Sequence, residues 1–567
     1  MKMERGSMAA AMRAAMAALL LGTPLAAQDS GSYLAGRQAG LVNDYAAGVE
    51  FFTRALQADP ANAALLQYTI AAHVGLGQPL DAAPYAAALA DGGVESTMSA
   101  LVLQAQRFED GDWDGILSAL QTGQTVSPLV DGLARGWAHV GEGDMGAALA
   151  AFDEMIESEG LRPFGAFHKA LALAAAGDFE AAEPLLAQDR SGGLERTRRG
   201  VVAHALILGQ LGRGEEGAAL IDATFGARPE PDLAELRDRL RAGEAVPYDV
   251  AADATEGMAE VYFDVASILT NEASPSVTLI YARLAEALDP SLVQATLMSA
   301  ALLDKLEQYG LAVRTYGTVP QDSPFFHAAE MGRADALYSA GQPDAAVEVL
   351  RQLTRSHGEM PVVQAAFADM LRRTGAYGEA EAAYTRAIDL SDPEDQGLWL
   401  IHYTRGIARH RIDRWDGAES DFRAALDIDP DQPQVLNYLG YSLVERGEKL
   451  DEALAMIEAA AERQPENGSI VDSLGWAHFT LGDYGRAVEE MERAAELEPV
   501  DAVVNDHLGD AYWAVGRERE ARFQWQRALS FGPEPDAAQR IRRKLQVGLD
   551  VVLVEENRDP LDLAQGG

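Results

Sequence analysis

The stretch Ile470-Val471-Asp472-Ser473-Leu474-Gly475-Trp476-Ala477 returns 34 residues later as Val504-Asn505-Asp506-His507-Leu508-Gly509-Asp510-Ala511. The same register relates Ala487 to Ala521, Ala494 to Ala528 and Pro499 to Pro533. One unit upstream stands Val435-Leu436-Asn437-Tyr438-Leu439-Gly440-Tyr441-Ser442, with Ala453 and Pro465 at matching places and one extra residue in the turn Gly447-Glu448-Lys449. A period of this length marks a stack of helix-turn-helix units, each with an apolar face that only the next unit covers. Glycine in the first helix lets the second approach closely, at about 1 kcal/mol of helix propensity. Ala487 and Ala521 are the matching small residues. Met491 and Trp525, four residues further on, share their buried face. Pro499 and Pro533 close each second helix and begin the next unit.

The frame of Leu-Gly, then Ala, a large apolar residue and Pro resembles the tetratricopeptide repeat (TPR) pattern. That resemblance implies an all-α TPR superhelix, an α-solenoid of about fourteen repeats. Clear units end at Pro60, Pro229, Pro290, Pro430, Pro465, Pro499 and Pro533; 61–96 and 160–197 are assigned by spacing alone. The expected order is a degenerate array over 28–229, a joint over 230–258 with a charged helix Leu233 to Arg241, and a second array over 259–534. The two arrays form two arms. A basic amphipathic capping helix over 535–547 and a tail over 548–567 complete the chain. The tail run Val551-Val552-Leu553-Val554 reads as a strand or as an edge that docks elsewhere. The runs quoted above, with Ala521-Arg522-Phe523-Gln524-Trp525 and Glu256-Gly257-Met258-Ala259-Glu260-Val261, are similar to an exported bacterial TPR group common in alphaproteobacteria. Its relatives include outer-membrane lipoprotein adaptors that deliver cell-wall hydrolases to a carboxyl-terminal processing protease. The resemblance implies an adaptor; the lipobox Cys of those relatives is missing here.

The 567 residues are 48% hydrophobic and 24% charged, which fits a packed protein and excludes wholesale disorder. No cysteine is present, which removes disulfides, thiolate zinc, iron–sulfur clusters and lipid attachment to Cys. A net charge of −42 disfavours nucleic acid and anionic membrane surfaces and favours a basic or neutral partner. Met1 to Ala27 reads as a signal peptide: Lys2, Arg5 and Arg13, the short apolar core Ala14 to Leu21, a break at Gly22-Thr23-Pro24 and small residues before Gln28. The core is too short to span a bilayer, which takes about 20 residues. The expected location is the periplasm, without membrane anchoring.

Motifs that carry chemistry are scarce. Gly141-Gly143-Gly146 and Gly212-Gly214-Gly217 match G-x-G-x-x-G, but fall where turns join two helices rather than between a strand and a helix. The ten His are scattered, and His507 has no second ligand at helical spacing. The expectation is a non-enzyme without cofactor or metal.

The informative constellation is the groove. In TPR superhelices the first helix of each pair lines the concave side. Two residues before the Leu of each Leu-Gly pair stand Asn437, Asp472 and Asp506; two after stand Tyr441, Trp476 and Asp510; five after stand Val444, Phe479 and Trp513. A ladder of acids and amide beside aromatic surface fits a peptide or protein partner, since aromatics give large contact area and acids accept from N–H, Lys or Arg. The competing reading is that Trp476 and Trp513 cover inter-repeat packing and the acids are solvated. A basic patch of Arg372, Arg373, Arg405, Arg409, Arg411 and Arg414 serves either as a second surface or as pairing for nearby acids. Three functions stand at this point: a groove-binding scaffold or adaptor, an assembly factor for envelope or polysaccharide-export machinery that uses its convex or terminal faces, and an enzyme with an unrecognised site.

Overall fold

The computed structural model describes residues 24–188, 194–226, 229–558 and 561. The signal segment over 1–23 and most of the tail after 558 lie outside the described residues. Among the described residues there are 31 α-helices, two short 3-10 turns and no strand. Twenty-eight of the helices pair into fourteen hairpins, from Pro24–Leu41 with Tyr45–Leu56 to Ala502–Ala514 with Glu518–Ser530. The segments assigned by spacing alone are hairpins too: Ala63–Leu76 with Ala83–Asp91, and Arg162–Ala175 with Phe179–Gln188.

Several hairpins are locked at a glycine of the first helix. A Cβ on Gly475 would lie 2.6 Å from Met491 Cγ, and one on Gly509 would lie 2.4 Å from Trp525 Cδ1. In both cases the large residue stands sixteen positions after the glycine. The same offset joins Gly36 to Phe52, Gly136 to Phe152 and Gly406 to Phe422. Two of these locks, at Gly36 and Gly136, fall in the array whose repeat signature is degenerate in sequence. Phe52, Phe152, Phe422, Met491 and Trp525 are all buried at these closing points.

The chain forms two compact units, 1–350 and 351–567. The division falls within the Pro343–Ser356 helix, not at the 230–258 joint expected from sequence. The charged helix is present as Pro231–Arg241, but the segment after it is not a free linker. Val246, Val250 and Ala251 are buried, and the Ala254–Leu269 helix is buried on nearly every side. Apolar residues without a repeat signature read as a connection in one dimension, yet here they fill the interior of the first unit.

The second correction concerns the tail. Val551 to Val554 is neither strand nor edge but part of the helix Leu549–Glu555. Leu549, Val552 and Leu553 are buried at helical spacing, while Val551 and Val554 face outward. The capping helix spans Pro535–Val547 and buries Ala538, Ile541 and Lys544. Gly548 turns the chain between these two helices at φ +86°, and its missing Cβ makes room for the Trp513 ring.

Candidate functional site

The first helices of four successive hairpins in the second unit wall a cavity of about 550 Å³. Leu398–Arg411 contributes His410 and Arg411; Pro433–Arg446 contributes Asn437, Tyr438, Tyr441 and Ser442. Gly468–Thr480 contributes Ser469, Asp472 and Ser473, and Ala502–Ala514 contributes Val503 and His507. Asp413, in a hairpin turn, stands at the rim. Of the nine groove positions counted from the Leu-Gly pairs, Asn437, Tyr441 and Asp472 line an open cavity together, and Val444 is buried in the core.

The cavity wall is electrostatically structured. Asp472 is buried, and its Oδ2 lies 2.8 Å from His507 Nδ1. The His507 ring stacks on Trp476 with centroids 4.1 Å apart. Burial opposes a charge on His507, but the Asp472 carboxylate, with Asp506 and Asp510 behind it, outweighs burial and raises the imidazole pKa. Burial also raises the Tyr441 phenol, helped by the charges of Glu445 and Asp472. At the other end His410 is pushed down by burial and by Arg411 and Arg446, and its Nδ1 lies 3.2 Å from the Tyr438 hydroxyl. Asp472 Oδ1 and Asn437 Oδ1 are buried acceptors with no hydrogen-bond partner.

The other five groove residues are engaged inside the protein. Trp476 and Phe479 are buried and stacked on each other at 4.9 Å, and Trp476 Nε1 donates to Glu445 Oε1. For these two rings, packing between repeats is what the structure shows, because each first helix leans on the next. Asp506 and Asp510 receive Lys544 Nζ at 2.5 and 2.7 Å. Trp525 Nε1 donates to Asp510 Oδ1 at 2.8 Å, and Arg540 stands 3.5 Å from Asp510 Oδ2. Burial and the neighbouring Asp510 charge push the Asp506 carboxyl up. Trp513 Nε1 donates to Asp550 Oδ2 at 2.9 Å, within the turn of the last two helices. The aromatic strip expected from sequence thus ends at Tyr441; beyond it the chain covers its own ladder.

Sequence reading missed Lys544 as the cation of that ladder. The signal was available: Ala538, Ile541 and Leu545 set a buried stripe at helical spacing, and Lys544 falls inside it. The basic patch resolves into pairs. Arg405 and Arg409 both hold Asp421, at 2.6 and 2.9 Å; Arg409 and Arg414 hold Glu381; Arg372 meets Asp369 and the Tyr384 hydroxyl. Arg411 is exposed at the cavity rim.

In the first unit the corresponding face is closed. The Ala254–Leu269 helix lies across the first helices Thr97–Asp110, Pro128–Glu142, Arg162–Ala175 and Arg198–Gln210. Tyr262 donates to Gln104 Oε1 at 3.0 Å and Thr255 to the Phe108 carbonyl at 3.0 Å. Gly257 lies flat against Trp137, Glu260 receives Arg199 Nε at 2.7 Å, and Asp264 stands 3.3 Å from His168 Nε2. Trp137 Nε1 donates to His168 Nδ1 at 3.2 Å. Burial pushes both the Glu260 and Asp264 carboxyls up.

The G-x-G-x-x-G matches sit on hairpin turns between Pro128–Glu142 and Met145–Glu157 and between Arg198–Gln210 and Gly214–Phe225. Among the described residues, no group of three or more His, Cys, Asp or Glu is placed to hold a metal ion, and no helix is long and apolar enough to cross a membrane.

Six overlapping segments, 297–361, 331–395, 365–433, 403–468, 439–502 and 473–538, match the family described as tetratricopeptide repeat. Residues 297–538 form a tetratricopeptide-repeat array. All the first helices that wall the cavity lie inside this TPR array. A TPR repeat-containing protein of Pseudomonas aeruginosa is 27% identical over 185 residues, covering 32% of this chain and 30% of that protein. The chain thus spans less than a third of that relative's length. Among solved structures, the chain is similar to the APC/C hetero-tetramer Cut9–Hcn1, at 15% identity over 93% of this chain and 98% of that one, with a TM-score of 0.38. It is also similar to YrrB, described as a TPR protein with an unusual peptide-binding site, at 19% identity over 35% of this chain and 99% of that one, with a TM-score of 0.28.

Proposed function

We propose that this chain is a non-catalytic TPR scaffold that holds a partner protein, in extended form, on the open inner face between His410 and His507. TPR arrays serve generally in protein–protein interaction. The observation that supports this site is the cavity of about 550 Å³ walled by the first helices of four consecutive hairpins. A concave site several helices long, with aromatic walls and a few placed polar groups, is built for a segment of chain. The signal-like sequence of residues 1–27 supports work in the periplasm, and the likeness to exported TPR adaptors supports delivery of proteins to an envelope protease or to cell-wall machinery.

The test is site-specific photocrosslinking in living cells. A photoreactive residue replaces Val503, exposed beside the cavity, or Phe523, exposed on a second helix. Adducts at 503 and not at 523 are expected. The reverse pattern transfers binding to the outer face and favours the assembly-factor reading. A reporter fused to residues 1–35 that stays in the cytoplasm refutes export.

A further inference from the structure

We propose that the open cavity receives a lysine side chain of the partner, its ammonium bound between Asp472 and Asn437 as the chain's own Lys544 is bound one rung further on. This rests on the groove reading above and names the chemistry that the groove selects.

The template lies within the protein. Asn437, Asp472 and Asp506 occupy the same repeat position, two residues before the Leu of each Leu-Gly pair. At the last rung that position is already occupied. Lys544 is fully buried, donates to Asp506 and Asp510, and lies 5.4 Å from the centre of the Trp525 ring. An ammonium, two acceptors and an aromatic wall make up the site.

One rung earlier the aromatic wall is present and the chain supplies His507 to one oxygen of Asp472 alone, at 2.8 Å; the other oxygen is met by no cation of the chain. Asp472 is 5% exposed, and its Oδ1 has no hydrogen-bond partner; Asn437 Oδ1 has none either. Both residues line the cavity with Tyr438 and Tyr441. A buried acceptor without a donor is unfavourable, so a ligand that brings donors is favoured over one that brings acceptors. A carboxylate in this place would meet Asp472 directly.

Among cations, geometry selects the ammonium. A guanidinium is held best by both oxygens of one carboxylate, in a planar fork. Asp472 Oδ2 is already held by His507, 2.8 Å away, so the fork is blocked. The remaining acceptors stand on separate helices, which suits an ammonium with three donors directed apart. The aromatic rings accommodate the four-carbon stem. Arg411 stands exposed on the neighbouring first helix, followed by Asp413 in the turn, and marks the other end of the cavity.

The experiment uses the full chain on an array of immobilised nonapeptides of varied sequence. Each lysine peptide is paired with versions carrying Nε-acetyl-lysine, norleucine or arginine. Binding of lysine peptides should exceed that of their acetyl-lysine and norleucine partners by about tenfold, which is about 1.4 kcal/mol, and should also exceed arginine. Asp472→Asn should erase the preference. Asn437→Asp, which copies the acid of the later rungs, should strengthen it and does not depend on how well the first variant folds. Peptides that bind without regard to lysine overturn this inference and leave the groove reading standing. An array on which no peptide binds overturns both.

Discussion

In the first unit the Ala254–Leu269 helix is buried against four first helices; in the second unit the same kind of face carries a cavity of about 550 Å³ between His410 and His507. Both faces are made of the first helices of stacked hairpins, and the glycine lock occurs in each, at Gly136 in one and at Gly406, Gly475 and Gly509 in the other. The backbone scaffold therefore does not decide whether a groove is filled. Side chains do. The first unit sets Trp137, His168 and Arg199 opposite Gly257, Asp264 and Glu260, a fixed pairing of shape and charge. Unmet acceptors occur on both faces, Glu260 Oε2 and Asp264 Oδ2 in the first unit and Asn437 Oδ1 and Asp472 Oδ1 in the second, but the second pair belongs to residues that line an open cavity. The last rung of the second unit, where Lys544 sits, obeys the rule of the first unit. One chain thus shows a repeat face both sealed by its own residues and left for another molecule.

Four changes separate sealed from open surface. The largest effect is expected for Lys544→Ala, which leaves Asp506 and Asp510 facing each other with Arg540, 3.5 Å from Asp510, as the remaining cation. Breaking a buried pair in this way costs about 3–5 kcal/mol. Hydrogen exchange should show lost protection over 502–555 and little change in the first unit. Next is Gly257→Leu, whose Cβ alone would stand 2.3 Å from Trp137. Overpacking there should cost about 1–3 kcal/mol in the first unit while peptide binding by the second is kept. An equal loss of binding would break the division of roles.

The third change concerns pH. The folded pKa of His507 is raised by Asp472. Its contribution is therefore complete below the ordinary imidazole value of about 6.5 and is lost as pH rises through the higher folded value. Protection of Gly468–Thr480 and Ala502–Ala514 should fall over that interval, and His507→Gln should flatten the profile. The smallest stability effect belongs to Asn437→Ala. It should change folding by less than about 0.5 kcal/mol yet weaken bound peptides about fivefold, which titration by fluorescence anisotropy reads. A variant that loses stability instead would mean that Asn437 works as packing.

Much of the array was legible because its physics is local and periodic. Leu474-Gly475 and Leu508-Gly509 fix where two helices touch, and Pro499 and Pro533 fix where a unit stops. The sixteen-residue step from Gly36 to Phe52 and from Gly136 to Phe152 was equally present in the sequence and anchors two hairpins of the first array. The site was legible only in part. Asn437, Tyr441 and Asp472 were found by counting from the Leu-Gly pair. The same count gave no warning that Trp476 and Phe479 turn inward to stack, or that the last rung is covered from within the chain. Repeat position sets the direction in which a residue leaves its helix, whereas exposure depends on what arrives from elsewhere.

The sequence alone determined the hairpins, their order and the positions at which helices touch, because those depend on contacts between residues fewer than about forty positions apart. Only the tertiary structure decided that Ala254–Leu269 fills the first unit, that Leu549–Glu555 folds as a helix beneath Trp513, and that one acceptor each of Asn437 and Asp472 stays without a partner in the chain. The first outcome depends on pairings such as Gln104 with Tyr262, 158 residues apart; the other two depend on contacts that break the repeat, as where Trp513 meets Asp550, 37 positions on. No periodicity encodes such a pairing; it depends on which surfaces the stacked helices bring face to face.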